Sequence, residues 1–551
     1  MSAISRHLKS NKGTALMTSI MVMMMVATLG ISYIALTSAN LFRANRDVRR
    51  TTAFYLAEAG LEDIVAQIMT AGTSNGGIII AQTYNTTSLL NGLKAGTTGT
   101  VWVELTSDNH IATITSSATY KGITDTVQAR LNAKSLGVWD NAIFAGIGQS
   151  GRGINGNVDI RGSVHILGEG DPFTDLNGNG VRDVAEPYTD LNHNGRYDSG
   201  EPFVDTDGNG VWSPAEPYID SNMDGEYNAP FTAHDLAENL SGSANIGNNY
   251  NGIPATLSSH IPALITQNFD GEMVQTLNAE LRVKHGIVDI SGAAKVGSPN
   301  QTGNSIKETL DGTYVSDGFG GNKGTGSVNS DNGTTQKYDL GDKVTFPSIL
   351  LPYTDPNTGV QYSTYEAWLV AHSLLVTVTT INSSTSSFTY GDGTNSISWN
   401  KSTSTLTTNG IVRMSGDLDI STKGSTVNTT GHGTIFSQGS IRVHGNVLPI
   451  GTFPIVDALG VIAKYDINFA TGTGESQLNA CGAWFAERKI RVAKQSQFAG
   501  TYVSNYFDMG SNVPSIFQVP ALSSHLPPGM PGGSNVIAAS IISWKHVRPY
   551  R

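Results

Sequence analysis

Four acidic loops follow one another in the sequence, and their oxygen-bearing residues have the spacing of a calcium-binding loop. The first begins at Asp175 with DLNGNGVRDVAE, and related segments begin at Asp190, Asp205 and Asp220. A calcium loop places oxygen ligands at positions one, three, five, seven, nine and twelve, with glycine at six and a bidentate glutamate at twelve. Calcium takes about six to eight such oxygens. The spacing therefore predicts a Ca²⁺ site in each complete loop.

Three loops carry all of these positions, and the fourth is degraded. The candidate ligands of the first are Asp175, Asn177, Asn179, the Val181 carbonyl, Asp183 and Glu186. Those of the second are Asp190, Asn192, Asn194, the Arg196 carbonyl, Asp198 and Glu201. Those of the third are Asp205, Asp207, Asn209, the Val211 carbonyl, Ser213 and Glu216. The fourth offers Asp220, Asn222, Asp224, the Glu226 carbonyl and Asn228. Because Phe231 stands at its position twelve, we expect the fourth loop to bind most weakly.

The residues around the loops argue against helix–loop–helix calcium modules. Each of the three closing glutamates is followed at once by proline and an aromatic residue, and only three residues separate consecutive loops. Proline disfavours the α conformation in the residue before it, so an exit helix of normal length is not expected. The segment also has almost no apolar core. We expect an open tether without cations and a compact, ion-pinned rod with them; the alternative is a linker that never orders.

The excess negative charge of the chain lies in this repeat. Residues 171–231 hold 13 of the 45 acidic residues and 2 of the 34 basic residues, which accounts for the whole formal net charge of −11. The rest of the 551-residue chain is neutral and has no broad basic region, so nucleic acid is not an expected partner. The chain is too long for one compact core, and its 62 glycines and 14% charged residues favour β-structure with many turns.

The N-terminus has the composition of a membrane anchor. Arg6, Lys9 and Lys12 precede Gly13, and no charged residue follows until Arg43. About 20 apolar residues suffice to span a bilayer, and the basic flank stays on the cytoplasmic side. We therefore expect a single span with the body of the chain outside the inner membrane. A cleaved secretory signal ending near LTSA is the alternative, although its hydrophobic region would exceed the usual length of about 7–15 residues.

The pattern after the span predicts that the same helix continues beyond the membrane. The segment 38–70 has no proline and a single glycine, Gly60. Apolar residues recur in it at helical spacing; they are Leu41, Val48, Tyr55, Leu56, Ile64, Val65 and Ile68. We expect one helix at residues 14–72, and its apolar stripe requires partner helices or a docked domain.

A basic leader, a glycine, an uncharged span and an amphipathic continuation together resemble a type IV prepilin. KGTALMTSIMVMMMVATLGISYIAL followed by AFYLAEAGLE is similar to the N-terminal region of PilX-type minor pilins. The resemblance implies that prepilin peptidase removes a leader of residues 1–13 by cutting after Gly13. Thr14 would then be the methylated N-terminus of the mature chain. The resemblance also implies that other pilins are partners of the helix.

One position departs from the pattern of major pilins. They carry a glutamate five residues past the cleavage site, whereas this chain has Thr18. In the family that glutamate is thought to pair with the terminal amine of a neighbouring subunit, and an unpaired carboxylate in hydrocarbon is costly. PilX-type proteins and the large tip pseudopilin of type II secretion share the departure. It suits a subunit that starts or caps a filament.

The rest of the sequence predicts β-structure of two kinds, so the expected fold class is mainly β with one long N-terminal helix. Residues 73–135 contain a polar loop and then the alternation of a small antiparallel β meander, which in pilins packs on the helix. Beyond residue 135, pairs of apolar residues recur between Gly or Asn turns; the pairs are Val158/Ile160, Val288/Ile290, Val412/Met414, Leu418/Ile420 and Ile441/Val443. These pairs suit the rungs of a parallel β-solenoid, with an antiparallel sandwich as the alternative.

The expected head is a solenoid interrupted by insertions. It begins at residues 136–170, contains the calcium loops at 171–231, continues through β-rich insertions at 232–404 and ends in a C-terminal part at 405–551. Within it, residues 298–404 are expected to form an exposed β-appendage. WDNAIFAG, LGVIAKYDINFA and SIISWKHVRPY also resemble parts of large PilX-like proteins.

The expected function is that of a minor-pilin-like subunit of a type IV pilus or related filament. It would lie at or near the tip and act in assembly or surface adhesion through a Ca²⁺-stabilised head, with surface ligands or a tip adhesin as further partners. Before assembly it would lie in the inner membrane, and afterwards at the cell surface.

Two other functions are alternatives. A type II secretion tip pseudopilin has a mostly helical body, unlike the β-rich composition of this chain. A membrane-anchored β-helix enzyme acting on polysaccharide would need acids on its rungs, but the acids are concentrated in an insertion. His165 and His444 are isolated, and Cys481, the one cysteine, has no nearby base, so no catalytic residue is expected.

Overall fold

The computed structural model describes residues 11–71, 83–105, 111–135, 137–149, 158–168, 170–171, 173–176, 181–218, 220, 227, 240–269, 271–331, 344–509, 514–533 and 537–547. The chain forms two compact units. The N-terminal unit contains Met1–Ser135 together with Ile537–Arg551, and the head contains Leu136–Val536.

A long helix and a few strands build the N-terminal unit, whereas short strands build most of the head. The N-terminal unit begins with α1 (Asn11–Ala71), β1 (Thr83–Asn85), α2 (Thr87–Leu93), β2 (Thr97–Leu105), β3 (Ile111–Tyr120) and β4 (Ile123–Ser135). The first half of the head contains β5 (Ile143–Gln149), β6 (Asp159–Arg161), β7 (Val164–Ile166), β8 (Asn245–Gly247), α3 (Ala255–Ser258), β9 (Ile265–Phe269), β10 (Glu272–Thr276), β11 (Glu280–Val283), β12 (Val288–Asp289), β13 (Lys295–Val296), β14 (Gly312–Val315) and β15 (Phe319–Gly320). The second half contains β16 (Tyr353–Thr354), β17 (Gln361–Tyr362), α4 (Tyr365–His372), β18 (Leu374–Val376), β19 (Thr380–Ile381), β20 (Phe388–Gly391), β21 (Ser396–Asn400), β22 (Thr405–Met414), β23 (Leu418–Ile420), β24 (Thr426–Thr430), β25 (His432–Ser437), β26 (Ile441–Val443), β27 (Asn446–Pro449), β28 (Ala458–Ala463), β29 (Asp466–Phe469), β30 (Asn479–Val492), β31 (Gln497–Asp508) and β32 (Ser515–Phe517). The final strand, β33 (Ile537–Val547), returns to the N-terminal unit.

From Thr14 to Phe42, α1 presents an uncharged and largely apolar surface. The large apolar side chains from Leu16 to Phe42 are 48–76% exposed. The helix is long and apolar enough to cross a membrane, which makes it a candidate anchor. The Thr18 hydroxyl donates to the carbonyl oxygens of Thr14 (2.9 Å) and Ala15 (3.0 Å). This polar group is therefore satisfied inside the helix and requires no partner from another chain.

The second half of α1 packs against a five-stranded antiparallel sheet with the strand order β1–β2–β3–β4–β33. The buried face of the helix consists of Ala53, Leu56, Ala57, Leu61 and Ile64. The predicted stripe is only partly buried, because the apolar contact with the sheet starts at Ala53. Three of its members remain 61–64% exposed; they are Leu41, Val48 and Tyr55.

Leu61→Ala should destabilise the N-terminal unit by about 2–5 kcal/mol, because it removes a buried side chain from the helix–sheet core. Hydrogen exchange of β3 and β4 in the full chain would accelerate accordingly. Leu41→Ala is the matched control: the same substitution at a 61% exposed position of the same helix should leave exchange in the sheet unchanged. Equal effects of the two substitutions would contradict the packing.

The C-terminal strand completes the sheet of the N-terminal unit. β33 pairs with β4 from Ile537 opposite Ser135 to Val547 opposite Thr126. The buried Asp125 carboxylate binds His546 from this strand and lies 3.4 Å from Nε of Arg50 on α1. The sequence pattern places all of 405–551 in the head, which is wrong for residues from Ile537 onward, since they belong to the N-terminal unit. In the order of the chain, the head therefore lies between β4 and β33.

Most strands of the head stack in parallel as the rungs of a β-solenoid. One column of core residues runs Val412, Ile435, Val461 and Trp484 through consecutive parallel pairings. The ten apolar residues predicted to point inward from the rungs are all 0–2% exposed. The fold class expected from the sequence is therefore confirmed: a mainly β chain with a long N-terminal helix, a small antiparallel sheet and a solenoid-like head.

The spatial order of the rungs differs from their order in the chain. β5 is the first strand of the head, and it pairs in parallel with β31, which lies near the C-terminal end of the head. Tyr502 of β31 is opposite Ile143 of β5 in this pairing. The rungs of residues 143–331 therefore extend the stack formed by residues 374–508. The connection between the two halves includes a segment that lies against the solenoid, residues 344–352, which we call the strap. Its Phe346 ring stacks on Phe485 of β30 at 5.6 Å.

Part of the predicted appendage belongs to the solenoid. β14 and β15 pair in parallel with β11 and β12, so Gly312–Val315 and Phe319–Gly320 extend the rungs. In contrast, β20, β21 and the first half of β22 form an antiparallel meander that runs directly into a rung strand. Short alternating strands look alike in both settings, so their partners could not be assigned from the pattern.

Candidate metal centre

The acidic repeat is inserted between β7 and β8 of the solenoid, and its residues 171–231 are called the arm. In its described residues the arm contains no helix, as the proline after each closing glutamate predicts. Two antiparallel bridges organise it: Tyr188 pairs with Phe203, and Phe173 pairs with Tyr218. The arm is therefore a hairpin with the second loop at its tip and the first and third loops side by side.

In the second loop, side-chain oxygens accept hydrogen bonds from backbone N–H groups of the same loop. Asp190 accepts hydrogen bonds from the N–H groups of Asn194 (3.2 Å) and Gly195 (2.7 Å). The side-chain oxygens of Asn192 and Asn194 accept from the N–H groups two residues further on, at 3.1 and 2.8 Å. Gly195 has φ of +75°, which other residues rarely adopt and which the sharp turn at position six requires.

The third loop repeats this arrangement. Asp205 accepts from the N–H groups of Gly208 (2.7 Å), Asn209 (3.1 Å) and Gly210 (2.9 Å). Asp207 accepts from the Asn209 side chain at 2.8 Å, and Gly210 has φ of +76°. In both fully described loops the side-chain oxygens of positions one, three and five thus accept hydrogen bonds from backbone N–H groups of the same loop.

The closing glutamates are buried, and two of them are exchanged between loops. Glu201 accepts from Leu191 and Asp198 of its own loop. Glu186, which ends the first loop in sequence, accepts instead from the N–H groups of Thr206 (2.6 Å) and Ser213 (3.0 Å) in the third loop. Glu216, which ends the third loop in sequence, accepts instead in the first loop, from the N–H groups of Leu176 (2.6 Å) and Asp183 (3.1 Å). The spacing in the sequence assigns each glutamate to its own loop; the hairpin brings the other loop's glutamate to that position.

One carboxylate cluster could hold a metal ion. Oxygen atoms of Glu186, Asp205 and Asp207 lie within 4.8 Å of one another. Desolvation raises the pKa of the Glu186 carboxyl, but hydrogen bonds from Ser213, Thr206 and Asp207 outweigh it, so the pKa is lowered overall. Glu186 is therefore ionised at neutral pH and available as an anionic ligand.

An aromatic cluster, which the sequence pattern did not predict, holds the arm together. Tyr197 stacks on Trp212 with ring centroids 4.6 Å apart; Tyr188 contacts both rings edge-on, and Phe203 contacts Tyr197 edge-on. The Arg182 guanidinium lies 4.5 Å from the Tyr218 ring centroid and 4.8 Å from that of Tyr227. The aromatic residue that follows each Glu-Pro pair in the sequence could have indicated this cluster.

Several predicted site residues fall outside the described part of the chain; they are Asn177, Asn179, Asn222, Asp224, Glu226 and Asn228. Asp220 of the fourth loop lies close enough to Arg488 of the head to raise the pKa of that guanidinium, after the larger contribution of Asp466. The processing site at Gly13 and Thr14 lies at the start of α1, and cleavage there stays a prediction.

The isolated histidines and the cysteine occupy structural positions. His165 is buried, and its pKa is lowered by burial and by Arg282 and Lys284. His444 contacts Glu475 and lies 3.2 Å from Asp419; burial lowers its pKa, but these carboxylates raise it overall. Burial raises the pKa of the Cys481 thiol, so it remains protonated.

Comparisons with known proteins find similarity among solved structures. No protein-family model matches the sequence, and no curated protein matches it. Among solved structures, the chain is similar to the crystal structure of the competence-associated pilin ComZ from Thermus thermophilus. The two share 17% sequence identity with a TM-score of 0.48, and the alignment covers 91% of this chain and 97% of that chain.

Proposed function

We propose that the chain is a minor-pilin-like subunit of a type IV pilus or related filament, with an exported head whose arm binds Ca²⁺. The observation that carries the proposal is the division of α1 into two halves. Residues 14–42 are uncharged and exposed, and the second half of the helix packs on an antiparallel sheet. An apolar helical surface of this size has to be covered by lipid or by other apolar helices.

The N-terminal sequence supports a pilin over an ordinary signal anchor. Basic residues precede Gly13, and the span that follows continues without interruption into the packed half of α1. Prepilin peptidase is the proposed processing enzyme, with other pilins as partners of the mature helix. The chain would lie in the inner membrane before assembly and at the cell surface afterwards.

Thr18 supports a place at or near the filament tip. Threonine has no carboxylate to pair with the terminal amine of a neighbouring subunit. The Thr18 hydroxyl instead donates to the carbonyl groups of Thr14 and Ala15. A subunit that lacks this pairing is suited to start or cap a filament. The head would then be free to assist assembly or to contact surface ligands or a tip adhesin.

The arm supports Ca²⁺ as the ion. The ligands at its described positions are carboxylate, amide, hydroxyl and carbonyl oxygens, which suit a hard cation. Extracellular calcium modules typically bind at about 10⁻⁴–10⁻³ M, in agreement with an exported head. The residues proposed to hold the ions are the candidate ligands of the four loops that begin at Asp175, Asp190, Asp205 and Asp220, with the fourth loop weakest.

Mass spectrometry of the mature N-terminus tests the filament proposal. We expect the chain to begin at Thr14, and a Gly13→Leu variant to keep its leader and to be absent from sheared filaments. The wild type should be present in those filaments in small amounts. A mature chain beginning at Asn40 would indicate a cleaved secretory signal and would overturn the proposal.

A further inference from the structure

The arrangement of the closing glutamates has a consequence for how the arm binds its ions. We infer that Glu186 completes the calcium site of the third loop and Glu216 completes that of the first, so that these two sites form one cooperative pair, while the second loop closes on itself. The inference rests on the proposed calcium binding and specifies which side chains complete each site.

The second loop supplies an internal standard for the closing contact. In it, the glutamate accepts hydrogen bonds from the N–H groups of loop positions two and nine, Leu191 at 2.8 Å and Asp198 at 2.9 Å. In the other two loops the same two positions donate to a glutamate, at 2.6 and 3.0 Å in the third and at 2.6 and 3.1 Å in the first. The local geometry is the same three times, and only the origin of the glutamate differs.

The backbone N–H groups of the two exchanged glutamates also bond to the other loop. The N–H of Glu186 donates to the Ser213 carbonyl and that of Glu216 to the Asp183 carbonyl, both at 3.0 Å. In the second loop the corresponding bond, from Glu201 to Asp198, stays within the loop. Because the backbone is held in this way, a change of side-chain rotamer cannot return either exchanged glutamate to its own loop.

Side chains brace both ends of the exchange. The Trp212 indole N–H donates to the Glu186 carbonyl at 2.8 Å, and the Arg182 Nε–H donates to the Glu216 carbonyl at 2.9 Å. Trp212 belongs to the third loop and Arg182 to the first. Each loop therefore holds the incoming glutamate through a second, independent contact.

The two exchanged glutamates are buried carboxylates that accept hydrogen bonds from backbone N–H groups. Glu186 and Glu216 are each 3% exposed. Among the described residues, their carboxylates take part in no ion pair with Lys, Arg or His. Buried carboxylates are stable only when a positive charge or several hydrogen-bond donors compensate them. Asp205 and Asp207 add two further negative charges beside Glu186.

Reciprocal exchange couples the two sites thermodynamically. An ion in the third loop fixes Glu186, and with it the bond to Ser213 that positions the segment leading to Glu216. The first loop is then partly ordered before its own ion arrives. Such coupling typically changes affinity by about 5–150-fold, and it acts equally in both directions. The second loop, which is self-contained, should bind independently.

Two double variants of the full chain in detergent test the assignment. Asp205→Asn combined with Glu186→Gln should damage only the third site, whereas Asp205→Asn combined with Glu216→Gln should damage the third and the first. At saturating Ca²⁺, equilibrium dialysis should show one ion fewer than wild type for the first variant and two fewer for the second. The variants are matched, because each neutralises one aspartate and one glutamate of the arm.

The outcomes separate this inference from the calcium proposal beneath it. If the second variant loses one ion and the first loses two, each loop is closed by its own glutamate and the exchange is refuted. Equal losses also refute it. If the wild type binds no Ca²⁺ in the millimolar range, the proposed calcium function itself fails. In a Glu201→Gln background, the two remaining tight sites should still titrate with a Hill coefficient above one.

Discussion

Removal of Ca²⁺ should make the arm of the full chain susceptible to trypsin at Arg182 and Arg196, with cleavage at least tenfold faster than in the calcium-bound protein. These are the two basic residues of the segment 171–231. In the structure, the Arg182 guanidinium lies against the rings of Tyr218 and Tyr227, and its Nε–H donates to the Glu216 carbonyl. Arg196 lies at position seven of the second loop, where its carbonyl is a proposed ligand.

The effect should be large because the proposed ions would neutralise a strong electrostatic repulsion in the arm. The segment carries a net charge of −11, and the Leu and Val side chains of its described residues are 58–73% exposed, so apolar packing there comes mainly from the aromatic cluster. Without cations the carboxylates repel one another, and local opening then costs little free energy. Trypsin cuts opened chains, so the cleavage rate reports the population of the open arm.

Internal and ionic controls make this experiment decisive. Cleavage at the exposed Lys401, in the meander of the head, should not change when Ca²⁺ is removed. Mg²⁺ should protect poorly, because it requires a smaller octahedral site and releases its water reluctantly. Protection that is identical with and without Ca²⁺ would show that the aromatic cluster alone holds the arm closed, and the structural role of the ion would be lost.

Local patterns in the sequence predicted the local features of this chain correctly. Val412 and Met414 point into the core because strand side chains alternate, and the long helix follows from an uninterrupted run without proline. Asp190 and Asp205, at position one of the second and third loops, accept hydrogen bonds from backbone N–H groups within their own loops; ion binding there stays a prediction. Each of these inferences depends on residues within about a dozen positions of one another.

The features that sequence patterns did not predict are pairings between distant segments. The pairing of β33 with β4, the junction of β31 with β5 and the exchange of Glu186 for Glu216 all depend on which segment lies alongside. The repeat itself obscures the exchange, because the third loop offers the same contacts as the first. Only the hairpin, with the second loop at its tip, selects the partner.

The contact between the strap and Glu487 is another long-range feature that the sequence pattern did not predict. Glu487 lies in β30, where a polar residue would be expected to face solvent, but the strap covers it and leaves it 5% exposed. It accepts hydrogen bonds from the Ser348 hydroxyl and from the Ile349 N–H at 2.8 Å. Burial raises the pKa of the Glu487 carboxyl from 4.5 to about 7, although the Ser348 and Ile349 hydrogen bonds act in the opposite direction.

The raised pKa makes the stability of the head depend on pH. The unfolded chain releases the Glu487 proton above pH 4.5, whereas the folded head keeps it until about pH 7. Between these values the folded state binds more protons, so the free energy of unfolding falls as pH rises, and it levels off above about pH 7. At about 1.36 kcal/mol per pH unit, the loss amounts to roughly 3 kcal/mol.

Glu487→Gln should therefore stabilise the head by up to about 3 kcal/mol at pH 8 and by little near pH 4.5. A glutamine has the shape of the protonated acid: its oxygen can accept from Ile349, and its amide can donate to the Ser348 hydroxyl. Denaturant unfolding followed by the fluorescence of the buried Trp399 and Trp484 would measure the difference. Ser348→Ala is the matched probe, because losing this hydrogen bond should raise the Glu487 pKa further and extend the falling limb to higher pH. An equal gain from Glu487→Gln at both pH values would mean that Glu487 is ionised throughout this range in the folded head. Its burial under the strap would then have to be compensated by something other than a proton.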